Sequence, residues 1–281
     1  MLDFPAYAND REGLTMSNLH HKAGPVPAGV VGHADGVACA GCVACDGGNN
    51  GGLRERQTRR EVPRKLWPFS FGAAVFDFDG TIARSGHVWS QVDHVFLESR
   101  GIEWTPDLSA ELASRGFSKG AEYVIERYGL DETPEAICRE WDAMGSELYP
   151  RLVELRPGAE RYVRSLRAAG VPCALATTND SRVLGSLAPR IDVEDLFDTV
   201  VYGNDIARDK NHPDIYLEAA RRLGVSASSC VAFEDIAPAL RSARTAGMAT
   251  CAVCSGDETQ DVPAVSAAAD MLLCDWRDLG R

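Results

Sequence analysis

Two aspartates stand two residues apart, Asp77 and Asp79, at the end of the apolar run Ala73-Ala74-Val75-Phe76 and just before Gly80-Thr81. A second apolar run, Val171–Ala176, ends in Thr177-Thr178-Asn179-Asp180, and a third, Val231–Phe233, ends in Glu234-Asp235. Lys210 lies in a polar loop shortly before a helical pattern that opens near Pro213. Carboxylates, hydroxyls and one amine at the ends of apolar runs suit phosphoryl transfer. A carboxylate attacks a phosphoryl group only if the negative charge around phosphorus is neutralised, which calls for a divalent cation and an ammonium group. Asp77 is then the expected nucleophile and Asp79 the acid that protonates the leaving oxygen and later activates water. Thr177, Thr178, Asn179 and Lys210 are expected to grip the phosphoryl oxygens. Asp77, Asp235, Glu234 and the backbone carbonyl of Asp79 are expected to hold Mg²⁺, Glu234 either directly or by orienting the others.

These residues need elements to position them. Short apolar runs recur at Thr199–Tyr202, Thr250–Val253 and Met271–Leu273. Between the runs lie helical patterns: Ala159, Tyr162, Val163, Leu166 and Ala169 repeat at i, i+3, i+4, i+7 and i+10, and Gly170 sits where a C-terminal glycine belongs. Ile215, Ala219, Ala220 and Leu223 do the same before Gly224. Strands alternating with helices of about ten residues predict βαβ units and a parallel sheet with helices on both faces, and in such sheets ligands bind at the carboxyl ends of the strands. Residues 86–155 break the alternation. They carry helical patterns at 90–100, 106–114, 120–128, 134–144 and 146–155, with breakers at Gly101, Gly116, Gly129 and Pro150, and no strand pattern. An all-helical domain inserted after the first strand is expected there, with the core formed by 71–85 and 156–281.

Four segments together resemble the haloacid dehalogenase-like superfamily, in its helical-cap phosphatase branch with the phosphoglycolate phosphatase and β-phosphoglucomutase-like proteins. They are Val75-Phe76-Asp77-Phe78-Asp79-Gly80-Thr81, Ala174 to Asn179, Lys210 in Asp209 to Leu217, and Phe233-Glu234-Asp235. The resemblance implies a Rossmann-like core, an inserted helical cap and Mg²⁺-dependent aspartyl-phosphate chemistry. It also implies that Gly116-Phe117-Ser118-Lys119 is a cap loop and that Lys119 reaches the substrate. Asp79 argues against halide chemistry. Trp89 stands where mutases of the branch carry a histidine, and Arg84-Ser85-Gly86 and Lys210-Asn211-His212-Pro213 depart from the usual motifs. The expected protein is a phosphatase of a small phosphorylated metabolite, a sugar phosphate or a phosphoglycolate-like compound. A phosphomutase is the alternative, and a non-catalytic binding protein the second.

The chain has 281 residues and a net charge of −12, a balance that disfavours a phosphate-backbone binder. No stretch reads as a membrane span or a secretory leader, and the scattered cysteines read as reduced thiols. A cytoplasmic protein with neither nucleic-acid nor membrane partners is expected, its oligomeric state left open. Residues 1–70 hold 10 of the 26 glycines and lack a sustained apolar period, so a disordered tail is expected. Within it Cys39, Cys42 and Cys45, with His33 nearby, offer a weak match to a metal site, which usually takes four ligands.

Overall fold

A computed structural model of the chain describes residues 71–279, apart from 189, 258 and 259. Cys39, Cys42, Cys45, His33 and the rest of the expected tail lie outside the described residues. In chain order the elements begin with β1 (Ala73–Phe76), β2 (Ala83–Arg84), α1 (Gly86–Glu98), α2 (Pro106–Tyr128), α3 (Pro134–Leu152) and β3 (Glu154–Leu155). There follow α4 (Ala159–Ala168), β4 (Cys173–Thr177), α5 (Ser181–Gly185), α6 (Val193–Leu196), β5 (Thr199–Tyr202) and α7 (Asp214–Leu223). The chain closes with β6 (Cys230–Glu234), α8 (Ala237–Thr245), β7 (Ala249–Val253), α9 (Val262–Ala268) and β8 (Met271–Leu273).

Six strands form one parallel sheet in the order β5-β4-β1-β6-β7-β8. The fold is an α/β Rossmann-like one, as the alternating runs predict. β1 is central and buried on both faces, which is why it reads as an unbroken apolar run rather than an alternating one. Its residues still divide by the pleat. Ala73 and Val75 join a cluster with Ala174, Ala176, Ala232, Ile215 and Tyr216. Phe76 faces the other way, stacked on Phe233 with ring centroids 4.7 Å apart and packed against Tyr162, Phe197 and Trp276. Two residues beyond Val75, the pleat period aims Asp77 to the side of Tyr216.

The segment between β2 and β3 is helical, but in four pieces rather than five, two of them making up α2. The α3 helix runs unbroken through Gly145 and Pro150, which the sequence reading took as a boundary and a breaker. The α2 helix does break, at Gly116 with φ 70°, where the breaker was expected. Thr105 and Thr133 cap the N-termini of α2 and α3, each hydroxyl accepting from a backbone N–H three residues on. The two-residue strands were not expected: Ala83 pairs with Leu155 and Arg84 with Glu154, antiparallel, so the helical segment leaves and rejoins the sheet domain at one ribbon. No helix among the described residues is long and apolar enough to cross a membrane.

Candidate active site

The carboxyl ends of β1, β4 and β6 meet, and the register fixes how. Phe76 pairs with Phe233, so Asp77 and Glu234 both lie one residue past that pair. The backbone N–H of Asp77 donates to the Phe233 carbonyl at 3.0 Å. Lys210 is 2% exposed and its ammonium lies between the two acids, bonded to Asp77 Oδ1 and, at 2.8 Å, to Glu234 Oε1. Tyr216 on α7 donates to the same Glu234 oxygen at 2.6 Å. Burial works against the Lys210 charge, but Asp77 and Glu234 outweigh it and raise its pKa. Burial and the charge of Asp77 push both Glu234 and Asp235 upward, Glu234 to about 7.

Oxygens of Asp77, Glu234 and Asp235 lie within 4.8 Å of one another. Asp77 Oδ2 and Glu234 Oε2 are buried with no hydrogen-bond partner. Hard carboxylate oxygens left unsatisfied and gathered in this way fit a divalent cation. Gly80 makes room for the third of them. Its φ is 77°, and a Cβ there would fall 1.9 Å from Asp235 Oδ2. Gln260 holds the Asp235 backbone, donating to its carbonyl and to that of Val253, both at 2.8 Å.

Asp79 belongs to a different network. Its Oδ2 accepts from Asn179 Nδ2 at 2.6 Å, and its Oδ1 accepts from the Tyr149 hydroxyl and from Trp89 Nε1 at 3.3 Å. Trp89 also donates to the Tyr149 oxygen at 2.6 Å. Burial, then the charge of Asp77, raise the Asp79 carboxyl to about 6, against the donors that pull it down. Two carboxyls on one strand end thus occupy unlike surroundings: Asp77 on a lysine beside a cation-sized cluster, Asp79 among neutral donors, Trp89 and Tyr149 from the helical segment and Asn179 from the end of β4.

The remaining expected residues divide. Thr177 is fully buried and its hydroxyl accepts from the Asn179 N–H at 3.1 Å, while Thr178 lines the cleft. Asn179 is close to the site, but its amide is spent on Asp79 and Tyr149. Lys119 does not reach the Asp79 side. It is exposed, paired with Glu122 at 2.8 Å, and lines a neighbouring cleft with Arg208 and Lys210. His94 stacks on Trp104 with centroids 4.3 Å apart, and His212 contacts Asp209. Sequence reasoning did not find Tyr149, Tyr216 or Asp93 as members of the site. Their only signal is polar chemistry inside helical patterns that otherwise read as packing.

The contact between the helical segment and the sheet is close at Gly116, where a Cβ would lie 2.9 Å from Thr178 Cβ. Here Trp89, Phe117 and Trp141 wall a cavity of about 100 Å³ that opens on Asp79. A larger cleft of about 370 Å³ runs over Asp77, Asp79, Glu234 and Asp235.

The chain is similar to a probable pseudouridine-5'-phosphatase from Drosophila melanogaster, 31% identical over 62% of this chain and 78% of that one. It is 29% identical to a bifunctional riboflavin kinase/FMN phosphatase from Arabidopsis thaliana over 64% of this chain, and spans 47% of that longer protein. The crystal structure of CbbY from Rhodobacter sphaeroides in complex with phosphate shares the fold, with a TM-score of 0.65 and 24% identity over 75% of this chain and 96% of that one. Residues 71–247 match the haloacid dehalogenase-like hydrolases, and the chain belongs to that family.

Proposed function

We propose that this hydrolase is a Mg²⁺-dependent phosphatase of a small phosphorylated metabolite. The observation that carries the reading is the division of labour between Asp77 and Asp79. Asp77 is fixed at one oxygen by Lys210 and stands beside Glu234 and Asp235, the setting of a nucleophile whose target needs charge neutralised. Asp79 is raised to about 6 and turned toward the cavity under the helical segment, the setting of an acid that works near neutrality.

Asp77 attacks phosphorus, and the bond to the leaving oxygen breaks as that oxygen takes the Asp79 proton. Asp79, now a carboxylate, takes a proton from water, and the water oxygen attacks the aspartyl-phosphate. Phosphate leaves and Asp77 is restored. Lys210 holds Asp77 in place and, with Thr177 and Thr178, faces the phosphoryl oxygens. Asn179 serves Asp79 by fixing the orientation of its carboxyl. Asp77, Asp235, Glu234 and the Asp79 carbonyl would hold Mg²⁺, which would supply positive charge against the phosphoryl oxygens. Residues 86–152 act as a cap that excludes water from the cavity during the first half-reaction.

Trp89, which stands where mutases of the branch carry a histidine and here donates to Asp79, favours hydrolysis over a mutase cycle. Phosphate release from a panel of phosphorylated metabolites, with and without Mg²⁺, tests the reading against Asp77→Asn. Release that needs Mg²⁺ and vanishes in the variant supports it. Isomeric phosphoesters without free phosphate would instead mean a mutase, and no product of either kind would sink both.

A further inference from the structure

The cavity beside Asp79 has a largely aromatic and apolar lining. Trp89, Phe117 and Trp141 form much of its wall, with Val92 and Leu112 adding further apolar surface. The rings meet edge to face, Phe117 lying 5.5 Å from Trp89 and 6.0 Å from Trp141. Set into this wall is Asp93, only 7% exposed, with Ser109 Oγ donating to its Oδ2 at 2.5 Å. Among the described residues that line the cavity none is Lys, Arg or His, so its charged groups are two carboxyls, Asp79 and Asp93. Burial raises Asp93 to about 7, with Ser109 pulling the other way. Lys119, expected over the substrate, pairs with Glu122 and lines an adjoining cleft that shares Gly116, Phe117 and Thr178 with this cavity.

We propose that this cavity receives the leaving group of a phosphorylated amino alcohol, whose ammonium group is held by Asp93 among the rings of Trp89, Phe117 and Trp141. The inference rests on the phosphatase reading and names its substrate class. An acidic leaving group such as glycolate would meet two carboxyls and no cation. A sugar would bring several hydroxyls to a wall that offers polar atoms at few points, and hydroxyls buried without partners are costly. The space beyond Asp79 is about 100 Å³, against about 150 Å³ for a cavity that takes one benzene, and it opens on the larger cleft over Asp77. An ammonium group on a two- or three-carbon stem fits the volume, neutralises the one carboxyl lining the cavity that the reaction does not use, and is attracted to aromatic faces. In the reaction the P–O bond to the amino alcohol breaks, its oxygen takes the Asp79 proton, and the phosphoryl group passes through Asp77 to water. The ammonium group keeps its charge throughout and leaves with the alcohol.

The test uses three substrates of matched size with the full chain and Mg²⁺: O-phosphoethanolamine, 2-hydroxyethyl phosphate and phosphoglycolate. The expected kcat/KM is at least about tenfold higher for the amine than for the neutral compound, and lowest for the acid. Asp93→Asn should bring the amine-to-neutral ratio to within about threefold of one, chiefly through KM, and Asp93→Glu should restore part of it. Wild type supplies a second readout that needs no variant: ethanolamine inhibits hydrolysis competitively, and ethylene glycol and glycolate do not. The inference is overturned if the neutral or acidic ester is turned over as well as the amine, if the preference survives Asp93→Asn, or if ethanolamine does not inhibit. Those results leave the phosphatase reading standing, because phosphate is still released. Silence from all three and from the wider panel removes both.

Discussion

Replacing Tyr149 by Phe removes one hydroxyl from the reacting end of the molecule and leaves the ring in place. Tyr149 is fully buried, and its hydroxyl donates to Asp79 Oδ1, a bond that favours the charged carboxylate. A hydrogen bond to a charged group contributes about 1.5–3 kcal/mol, and one pKa unit corresponds to about 1.4 kcal/mol, so Asp79 is expected to rise by about one to two units. The lower end is the better figure. Trp89 Nε1 divides its donation between the Tyr149 oxygen at 2.6 Å and Asp79 at 3.3 Å, and without that oxygen it can commit to Asp79. Asp79 delivers its proton in the first half-reaction, so kcat/KM is lost as pH rises through its pKa. The wild-type limb set by Asp79 should therefore move upward by about one unit in the variant. The assay is kcat/KM against pH with an alkyl phosphate at saturating Mg²⁺. An aryl phosphate with an acidic phenol serves as the control, because its leaving group needs no proton and its limb should move little. A limb that stays in place or moves down with the alkyl ester would refute the assignment of Asp79 as the acid and Tyr149 as its modulator.

Other expectations follow from the same geometry. Lys210→Met leaves Asp77 and Glu234 buried without their cation; breaking such a pair costs about 3–5 kcal/mol, or roughly 6–20 °C in Tm at this size, and Mg²⁺ should return much of it in a thermal melt. Gly80→Ala forces a methyl group onto Asp235 and should raise the Mg²⁺ concentration needed for half-maximal activity by at least about tenfold, 1.4 kcal/mol; an unchanged Mg²⁺ titration would count against Asp235 as a ligand. Glu234 and Asp93 both have folded-state pKa values raised to about 7. The folded protein binds more protons than the unfolded chain there, so their contribution is complete below the unfolded values near 4 and is lost as pH rises toward 7. Melts of the metal-free protein should fall over that window, and Mg²⁺ should flatten the part due to Glu234.

The ends of the main strands and the acids that follow them were readable because β1, β4 and β6 are buried on both faces and so appear as apolar runs that stop at a polar residue. Asp77, Asp79, Glu234 and Asp235 needed no long-range knowledge, only the rule that ligands gather at those ends. The partners of Asp79 were hidden for the opposite reason. Tyr149 lies 70 residues from Asp79 in sequence, on a helix whose apolar period already accounts for it. β2 and β3 are two residues each, too short to show a period of two. Lys119 stands one turn before Glu122 on the same helix and pairs with it at the surface. Asp93 sits in a helical stripe beside Val92 and Phe96, and only the cavity shows it to be more than a misplaced polar residue.

The ribbon of β2 and β3 bears on how the chain assembles. β1 must find β4 across the whole helical excursion, and the entropic cost of closing a loop grows with its length. Because Ala83 pairs with Leu155, the excursion ends where it began. Once α1, α2 and α3 have packed on one another and the ribbon has zipped, the open chain between β1 and β4 is roughly fourfold shorter, a saving of about 1.2 kcal/mol at ~0.6 per doubling. The central strand pair is thereby changed from a distant encounter into a near one. Lengthening the connection between α2 and α3 with glycine and serine should leave that step almost untouched, whereas mispairing the ribbon should slow refolding of the entire sheet.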